Sequence, residues 1–340
     1  MPITIRDIAR KLDLSIAAVS RALGGYPDIS EETRERVVQA AREMGYVPNR
    51  AARQLRRQKA DAIGYILPSE TPRFSDPFFT EFVAGLGDET ARHPFDLIIS
   101  IAPPGEEAEK HLYQNWVQGH KVDGLILTHV RLRDWRVEYL SQQRIPFTSL
   151  ENTLGNYDFP LVDINRQAGI IELVAHLVER GFHRIACIGG PANLKIQEEQ
   201  FDGYCKGLGA VNIPFESRLV TFGDLTSAGG YQATKRLCWL PDPPDAIICI
   251  NDETAFGALH ALHDLGVHIG TDVAVAGFDG VAASAHSDPP LTTLDIPIYE
   301  VARKLVNLLS AELKHEPILE RHVVITPNLL KRLSTGDSSS

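Results

Sequence analysis

Arginine side chains concentrated near the N-terminus are the clearest chemical signal in this sequence. Residues 1–60 carry 12 basic and 7 acidic side chains, whereas the other 280 residues have a net charge of −15. Arginine donates hydrogen bonds to phosphate oxygens and, through its planar fork, to the O6 and N7 atoms of guanine. The N-terminal region is therefore suited to nucleic acid, although the whole chain has a net charge of −10.

Three short helices are predicted to position these side chains. Thr4 and Asp7 match an acidic variant of the capping box, Ser15 can cap a second helix, and Ser30 can cap a third that ends at Gly45. The predicted shared core consists of Ile8, Leu12, Val19, Leu23, Val37, Ala41 and Met44. The face of the second helix left free for a partner consists of Ile16, Ala17, Ser20 and Arg21. An amphipathic cap on a larger domain has similar spacing, so the pattern alone leaves that alternative open.

A short arginine-rich segment follows the third helix. Asn49 comes after Pro48 and can cap a helix of about two turns, which is too short to persist alone in water. Its arginines repel one another, and Leu55 needs a partner to cover it. We expect this segment to fold only when phosphates neutralise it.

Four motifs in this region resemble one known family. They are TIRDIA at 4–9, VSRAL at 19–23, SEETR at 30–34 and GYVPNRAA at 45–52. Residues 3–57 resemble the headpiece and hinge of the lactose-repressor and galactose-repressor family of bacterial transcription regulators. The resemblance implies a helix-turn-helix whose second helix enters the major groove. It also implies that two hinge helices pair in the minor groove, where Leu55 wedges into the central base step.

The resemblance also implies which residues face DNA. Ile16, Ala17 and Arg21 would lie at base edges. The residues implied nearer the phosphates are Thr4, Ser15, Ser20, Thr33 and Tyr46, and the hinge contacts are Asn49, Arg50, Ala52 and Leu55. Ile16 and Ala17 replace the hydrogen-bonding side chains of the lactose repressor. We interpret them as contacts to thymine methyl groups or as residues that permit close approach.

From residue 61 onward, apolar strands alternate with amphipathic helices in two series. The predicted buried strands of the first series are 63–67, 96–102, 122–128 and 146–150, and those of the second are 183–189, 219–221, 245–250 and 273–278. This alternation predicts two doubly wound α/β lobes with parallel sheets behind the all-α headpiece. The two series resemble the lobes of the type I periplasmic-binding-protein fold.

The expected domain boundaries follow from these patterns and from the resemblance. They are a headpiece at 1–47, a hinge and linker at 48–60, an effector-binding and dimerisation domain at 61–330, and a polar tail at 334–340. The first lobe is expected at 61–161 and 292–320, and the second at 162–291 and 321–333. Family topology implies a first-lobe helix at 298–313 and a final second-lobe strand at 322–325.

Polar and aromatic residues just beyond strand ends are the candidates for ligand contact, because open parallel sheets bind ligands there. The candidate effector residues are Asp76, Phe78, Phe79, Glu151, Gln200, Asn251 and Asp279. Carboxylates and amides beside aromatic faces suggest a neutral, carbohydrate-like effector. Asn251 and Asp279 match effector positions of the family. A core role for one of the two phenylalanines, a solvated Glu151 and a capping role for Asp252 remain alternatives.

Gln200 departs from the family, which generally has an arginine there that holds the effector. Its neutral amide removes a positive charge from the expected cleft, which argues against a phosphorylated or carboxylated effector. Lys195 lies nearby in the sequence and is an alternative source of positive charge.

The sequence offers little support for catalysis or metal binding. It has no Gly-rich dinucleotide fingerprint, phosphate loop, nucleophile elbow or paired-histidine metal motif, so we expect no enzyme activity, cofactor or metal. Cys187, Cys205, Cys238 and Cys249 are expected to be reduced.

No signal region or membrane span is recognised, which predicts a cytoplasmic protein. The expected function is a homodimeric repressor that binds a palindromic operator and is controlled by the effector, with no C-terminal leucine repeat for tetramer formation. A sugar-binding protein or an α/β enzyme without a DNA role remains the alternative.

Overall fold

The computed structural model describes residues 3–46, 59–67 and 77–336 of the chain. The chain divides into two compact units, Met1–Lys59 and Ala60–Ser340. The predicted DNA contacts Asn49, Arg50, Ala52 and Leu55 and the predicted effector contact Asp76 lie outside the described residues.

The first unit contains three helices, α1 (Ile5–Leu12), α2 (Ile16–Leu23) and α3 (Glu31–Glu43). Each of the three predicted helix starts has local side-chain hydrogen bonds. The Asp7 carboxylate accepts from the Thr4 N–H at 2.9 Å, and the Ser15 hydroxyl accepts from the N–H of Ala18 at 3.0 Å. The Ser30 hydroxyl accepts from a backbone N–H in the first turn of α3 at 3.3 Å. The capping signals in the sequence therefore marked real helix starts.

One small apolar core holds these helices together. Ile8, Val19 and Val37 are fully buried, one from each helix. The other predicted core residues pack around them: Leu12, Leu23, Ala41 and Met44. Burial of each large aliphatic side chain contributes about 1.5–3 kcal/mol, which is how three helices of this length remain folded.

The second unit alternates strands and helices. In chain order, its elements are β1 (Ala62–Leu67), α4 (Pro77–Thr90), β2 (Asp96–Ile101), α5 (Glu106–Gln118), β3 (Gly124–Leu127), α6 (Trp135–Gln143), β4 (Phe147–Leu150), β5 (Leu161–Ile164), α7 (Arg166–Glu179), β6 (Ile185–Gly189), α8 (Lys195–Ala210), β7 (Val220–Phe222), α9 (Ser227–Cys238), β8 (Ala246–Cys249), α10 (Asp252–Asp264), β9 (Ala274–Asp279), β10 (Thr292–Asp295), α11 (Ile298–Lys314), β11 (His322–Ile325) and β12 (Asn328–Leu330).

These strands form two six-stranded sheets, and each sheet belongs to one lobe. The strand order is β11-β5-β4-β3-β1-β2 in the first and β12-β10-β9-β8-β6-β7 in the second. All neighbouring strands are parallel except β10 and β12, which are antiparallel. The predicted pair of doubly wound lobes is confirmed.

The predicted lobe boundaries need correction at three places where the chain passes from one lobe to the other. The unpredicted strand β5 pairs with β4, so the first lobe continues past residue 161 to Ile164. Strand β10 pairs with β9 and belongs to the second lobe, whereas residue 292 was expected to begin the return to the first. Strand β11 pairs with β5 in the first lobe, so the second-lobe position predicted for 322–325 is wrong. Strands of four residues carry too little pattern to identify the sheet they join.

Two further features of the first lobe bear on the prediction. Helix α11 packs on its sheet as expected, and the Thr148 hydroxyl donates to the Leu305 carbonyl at 3.2 Å. Strand β2 was expected to be buried, but it lies at the sheet edge with Ile98 and Ile99 exposed. A sequence pattern cannot distinguish an apolar edge strand from an interior one.

A buried carboxyl group joins three elements of the second lobe. Asp252, at the start of α10, accepts from the Val281 N–H at 2.9 Å and from the Thr293 hydroxyl at 2.6 Å. These bonds tie α10 to the loop after β9 and to β10. Burial raises the pKa of Asp252 to about 7. The protonated acid is therefore the form that the fold favours.

Replacing Asp252 with asparagine is expected to remove part of the pH dependence of stability. The folded pKa exceeds the unfolded one, so the contribution of Asp252 is full below pH 4 and falls by about 1.4 kcal/mol per pH unit up to neutrality. The substituted amide can keep the bond from Val281 and donate to the Thr293 hydroxyl. Melting temperatures from pH 5 to 8 should fall less steeply for Asp252→Asn than for wild type, with exposed Asp242→Asn as control. Equal slopes would contradict this role.

Candidate functional site

The predicted partner-facing residues of α2 lie on the solvent side of the first unit. Ile16, Ala17 and Arg21 are exposed, and Ile16 keeps 46% of its surface accessible although it is a large aliphatic residue. Val19 and Ala22 on the opposite face are buried. The helix therefore presents one guanidinium on a surface of otherwise small or apolar side chains.

The residues expected near phosphates differ in exposure to solvent. Thr4 and Ser15 are exposed at the helix starts, whereas Ser20, Thr33 and Tyr46 are half-buried. Tyr46 packs against the headpiece core. Hydroxyl groups at helix starts and backbone N–H groups are common phosphate donors.

A small cavity of about 50 Å³ lies where the carboxyl ends of strands from both sheets meet. The structure brings five of the predicted effector residues to it: Phe78, Glu151, Gln200, Asn251 and Asp279. The residues that sequence reasoning did not assign to it are Thr128, His129, Leu150, Arg166, Ile196, Leu225 and Ile250. Phe79 is a correction, because it is buried in the core and stacks with Tyr65 instead of lining the cavity.

Backbone strain is concentrated around this cavity. Four of its non-glycine residues have positive φ: His129 at 50°, Glu151 at 85°, Leu225 at 67° and Asp279 at 112°. Such conformations cost about 1–3 kcal/mol each and persist where the surrounding structure enforces them. Their convergence on one cavity makes it the candidate ligand site of the second unit.

An arginine between two carboxylates dominates the electrostatics of the cavity. Arg166 contacts Glu151 at 2.5 Å and Glu199 at 3.5 Å, and its guanidinium lies 5.8 Å from the centre of the Phe278 ring. Burial raises the pKa of Glu151 to about 8, because lost hydration outweighs the attraction of Arg166. Within the described residues, Glu151 Oε2 and Arg166 Nη1 have no hydrogen-bond partner. Glu151 Oε2 is suited to a ligand, whereas Arg166 Nη1 lies 3.5 Å from the Glu199 carboxylate.

Arg166, rather than Lys195, supplies the positive charge at the cavity. Lys195 is absent from the cavity lining, and its ammonium contacts Glu198 at 2.5 Å and Glu199 at 3.7 Å. Arg166 lies two residues after β5, the strand that the sequence pattern did not reveal. Had β5 been recognised in the sequence, Arg166 would have been identified as a polar residue just beyond the end of a strand.

The amide side chains of the cavity are engaged by the protein itself. Asn251 caps α10 by accepting from the Thr254 N–H at 3.0 Å, and it donates to the Leu225 carbonyl at 3.2 Å. The cap proposed for Asp252 is therefore supplied by its neighbour. Gln200 is buried and donates to the Ile250 carbonyl at 3.0 Å. These bonds fix both amides at the ends of second-lobe strands.

The imidazole that lines the cavity does not add a positive charge. Burial, with repulsion by nearby arginines, lowers the pKa of His129 to about 4. The segment that contains it is held by Arg136, whose guanidinium donates to the His129 carbonyl at 3.0 Å.

Backbone hydrogen bonds also join the lobes beside the cavity. The Leu132 N–H donates to the Asn193 carbonyl, and the Lys195 N–H donates to the Val130 carbonyl, both at 2.9 Å. Any opening of the cleft at this edge must break these two bonds.

Known proteins with related sequences place this chain in a family. Residues 4–49 match the bacterial regulatory proteins of the lacI family, and residues 174–335 match the periplasmic binding protein-like domain. The HTH-type transcriptional regulator AglR of Rhizobium meliloti (strain 1021) is 32% identical over 340 residues, covering 99% of this chain and 95% of that protein. The chain belongs to the LacI family. This LacI-family protein is therefore a transcription regulator and not an enzyme.

Two solved structures of LacI-family regulators are similar along nearly the whole chain. A lac repressor dimer bound to operator and an anti-inducer has a TM-score of 0.84 and 25% identity, and the match covers 99% of this chain and 100% of that one. The complex of the transcriptional regulator CelR with cellobiose has a TM-score of 0.75 and 27% identity, covering 98% and 99%.

Across residues 3–46, 59–67 and 77–336, no helix combines the length and apolar composition needed to cross a membrane. Nor do three metal-binding side chains form a cluster in that part of the chain.

The Arg166→Gln substitution is expected to destabilise the second unit by about 3 kcal/mol at pH 9 and by less at pH 6. Without the guanidinium, the pKa of Glu151 rises further, so the lost stability grows as pH passes the wild-type value near 8. Thermal unfolding at both pH values measures this difference. Exposed Lys121→Gln is the control for removal of one positive charge. A loss that is equal at both pH values would contradict the assigned pairing.

Proposed function

We propose that this regulator is a homodimeric repressor whose DNA affinity is controlled by a small effector in the inter-lobe cavity. The exposed face of α2, with Arg21 as its one guanidinium, carries the DNA part of the proposal. A two-fold protein suits a palindromic operator. The proposed DNA contacts are the described residues Thr4, Ser15, Ile16, Ala17, Ser20, Arg21, Thr33 and Tyr46, with Asn49, Arg50, Ala52 and Leu55 from the hinge. A DNA-binding protein of this kind acts in the cytoplasm.

The Arg21→Ala substitution is expected to lower operator affinity by about tenfold, because a bidentate contact to guanine contributes about 1–3 kcal/mol. Fluorescence anisotropy with a duplex selected from random DNA measures the affinity. Exposed Arg36→Ala removes the same charge from α3 and serves as the control. Equal affinities of Arg21→Ala and wild type would contradict base contact by Arg21. Failure of the wild-type protein to bind any duplex would instead favour the alternative of a sugar-binding protein without a DNA role.

The chemistry of the cavity favours a neutral polyhydroxyl effector. Arg166 is already paired with Glu151, and Asp279 adds a second carboxylate to the lining. A phosphate or carboxylate ligand would therefore have to compete with the acidic side chains that already contact Arg166. Sugar hydroxyl groups both donate and accept, so they can bond to Glu151 Oε2 and, by replacing Glu199, to Arg166 Nη1. The Phe78 ring supplies an apolar face.

The size of the cavity links effector binding to a change in shape. A volume of about 50 Å³ is far below the roughly 300–1,000 Å³ of an ordinary small-molecule pocket, so a sugar ring requires the lobes to separate or the lining to rearrange. The breaking of the Arg166 contacts and of the inter-lobe backbone bonds would then accompany binding. By linkage, DNA must change effector affinity by the same factor as effector changes DNA affinity.

Neutral sugars are expected to raise the melting temperature of the wild-type protein more than the corresponding sugar phosphates. The Gln200→Arg substitution places a cation at the cavity and should shift the affinity ratio toward the phosphate by about tenfold. A thermal-shift screen identifies the sugar, and calorimetry then measures both affinities. Exposed Gln142→Arg is the control. A wild-type preference for the phosphate would overturn the neutral-effector proposal.

A further inference from the structure

The guanidinium of the DNA-facing helix is already held within its own headpiece. Arg21 is the one Lys or Arg residue in α2. Its Nη2 contacts the carboxylate of Asp28, in the loop that follows the helix. Its guanidinium carbon lies 5.7 Å from the centre of the Tyr26 ring. One edge of the fork is therefore paired with a carboxylate, while an aromatic ring lies nearby.

The loop that carries these partners is fixed by several local contacts. A Cβ atom on Gly24 would lie 2.9 Å from the Tyr26 ring, so glycine at this position lets the ring approach the end of α2. The Tyr26 N–H donates to the Arg21 carbonyl at 3.1 Å. The Arg34 guanidinium, from α3, donates to the Tyr26 carbonyl at 3.0 Å. The position of the Asp28 loop is therefore set by both α2 and α3.

We propose that Asp28 is a specificity-determining residue that positions Arg21 for a guanine base. The proposal rests on the proposed function, in which α2 contacts base edges. A free arginine samples many rotamers and can contact any nearby phosphate. The carboxylate restrains the guanidinium, and half of the Arg21 side chain remains exposed. The remaining N–H donors can then engage O6 and N7 of one guanine.

Asp28 could instead simply keep Arg21 away from DNA. The effect of removing its charge on binding distinguishes this alternative from a positioning role. A carboxylate close to DNA repels phosphates, so its removal should modestly strengthen binding to every duplex. If Asp28 positions Arg21, its removal also weakens discrimination at a single base pair. If Asp28 only withholds Arg21, its removal strengthens binding to all sequences and leaves discrimination intact.

The test uses the full chain and an operator selected from random duplexes with the wild-type protein. Arg21→Ala first identifies the guanine that Arg21 contacts. It is the guanine whose replacement lowers the affinity of the wild-type protein but not that of Arg21→Ala. Affinities for that operator and for its three variants at that base pair are then measured for Asp28→Asn. Exposed Glu35→Gln on α3 removes the same charge from the headpiece and is the matched control.

Discrimination is the ratio of the affinity for the operator to the affinity for its variants at that base pair. We expect this ratio to fall about tenfold in Asp28→Asn and to stay at the wild-type value in Glu35→Gln. Asp28→Asn should add no further loss of discrimination in the Arg21→Ala background, and Asp28→Glu should restore part of it. Discrimination that is unchanged or increased in Asp28→Asn would overturn the inference, whatever the change in overall affinity. If Arg21→Ala alters discrimination at no base pair, the proposed role of Arg21 itself fails.

Discussion

The pairing of one buried guanidinium with carboxylates from both lobes is the interaction on which the effector domain depends most. Arg166 lies at the start of α7, Glu151 directly follows β4 in the first lobe, and Glu199 belongs to a second-lobe helix. A buried charge that loses its partner costs several kcal/mol. Lobe separation therefore has to keep Arg166 paired or replace a carboxylate with ligand or water, which makes the angle between lobes sensitive to what occupies the cavity.

The geometry around that ion pair shows how the residues that line the cavity are held. Positive φ angles at Glu151 and Asp279 turn the ends of β4 and β9 toward the same space. Asn251 and Gln200 are fixed by bonds to neighbouring carbonyls. The bonded amides stay in place within their lobe, so the rearrangement that a ligand would require falls mainly on the Arg166 contacts and on the inter-lobe backbone bonds.

The same principle operates in the headpiece at a much smaller scale. Arg21 contacts Asp28 on the surface, where water screens the charges and the pair adds little stability. Its consequence is orientation of the guanidinium. In the cavity, burial makes the corresponding pair of Arg166 and Glu151 important for stability as well. One residue combination thus has different roles because its exposure to water differs.

The sequence by itself determined the headpiece, because caps and helical periodicity are local signals. It also identified the residues after β4, β8 and β9 as cavity candidates, since the carboxyl ends of parallel strands share one edge of a sheet. Only the tertiary structure assigned β5, β10 and β11 to their sheets, because strands of four residues join a sheet through distant backbone pairing. For the same reason it alone brought Arg166 into the cavity and separated Phe78, which lines it, from Phe79, which packs in the core.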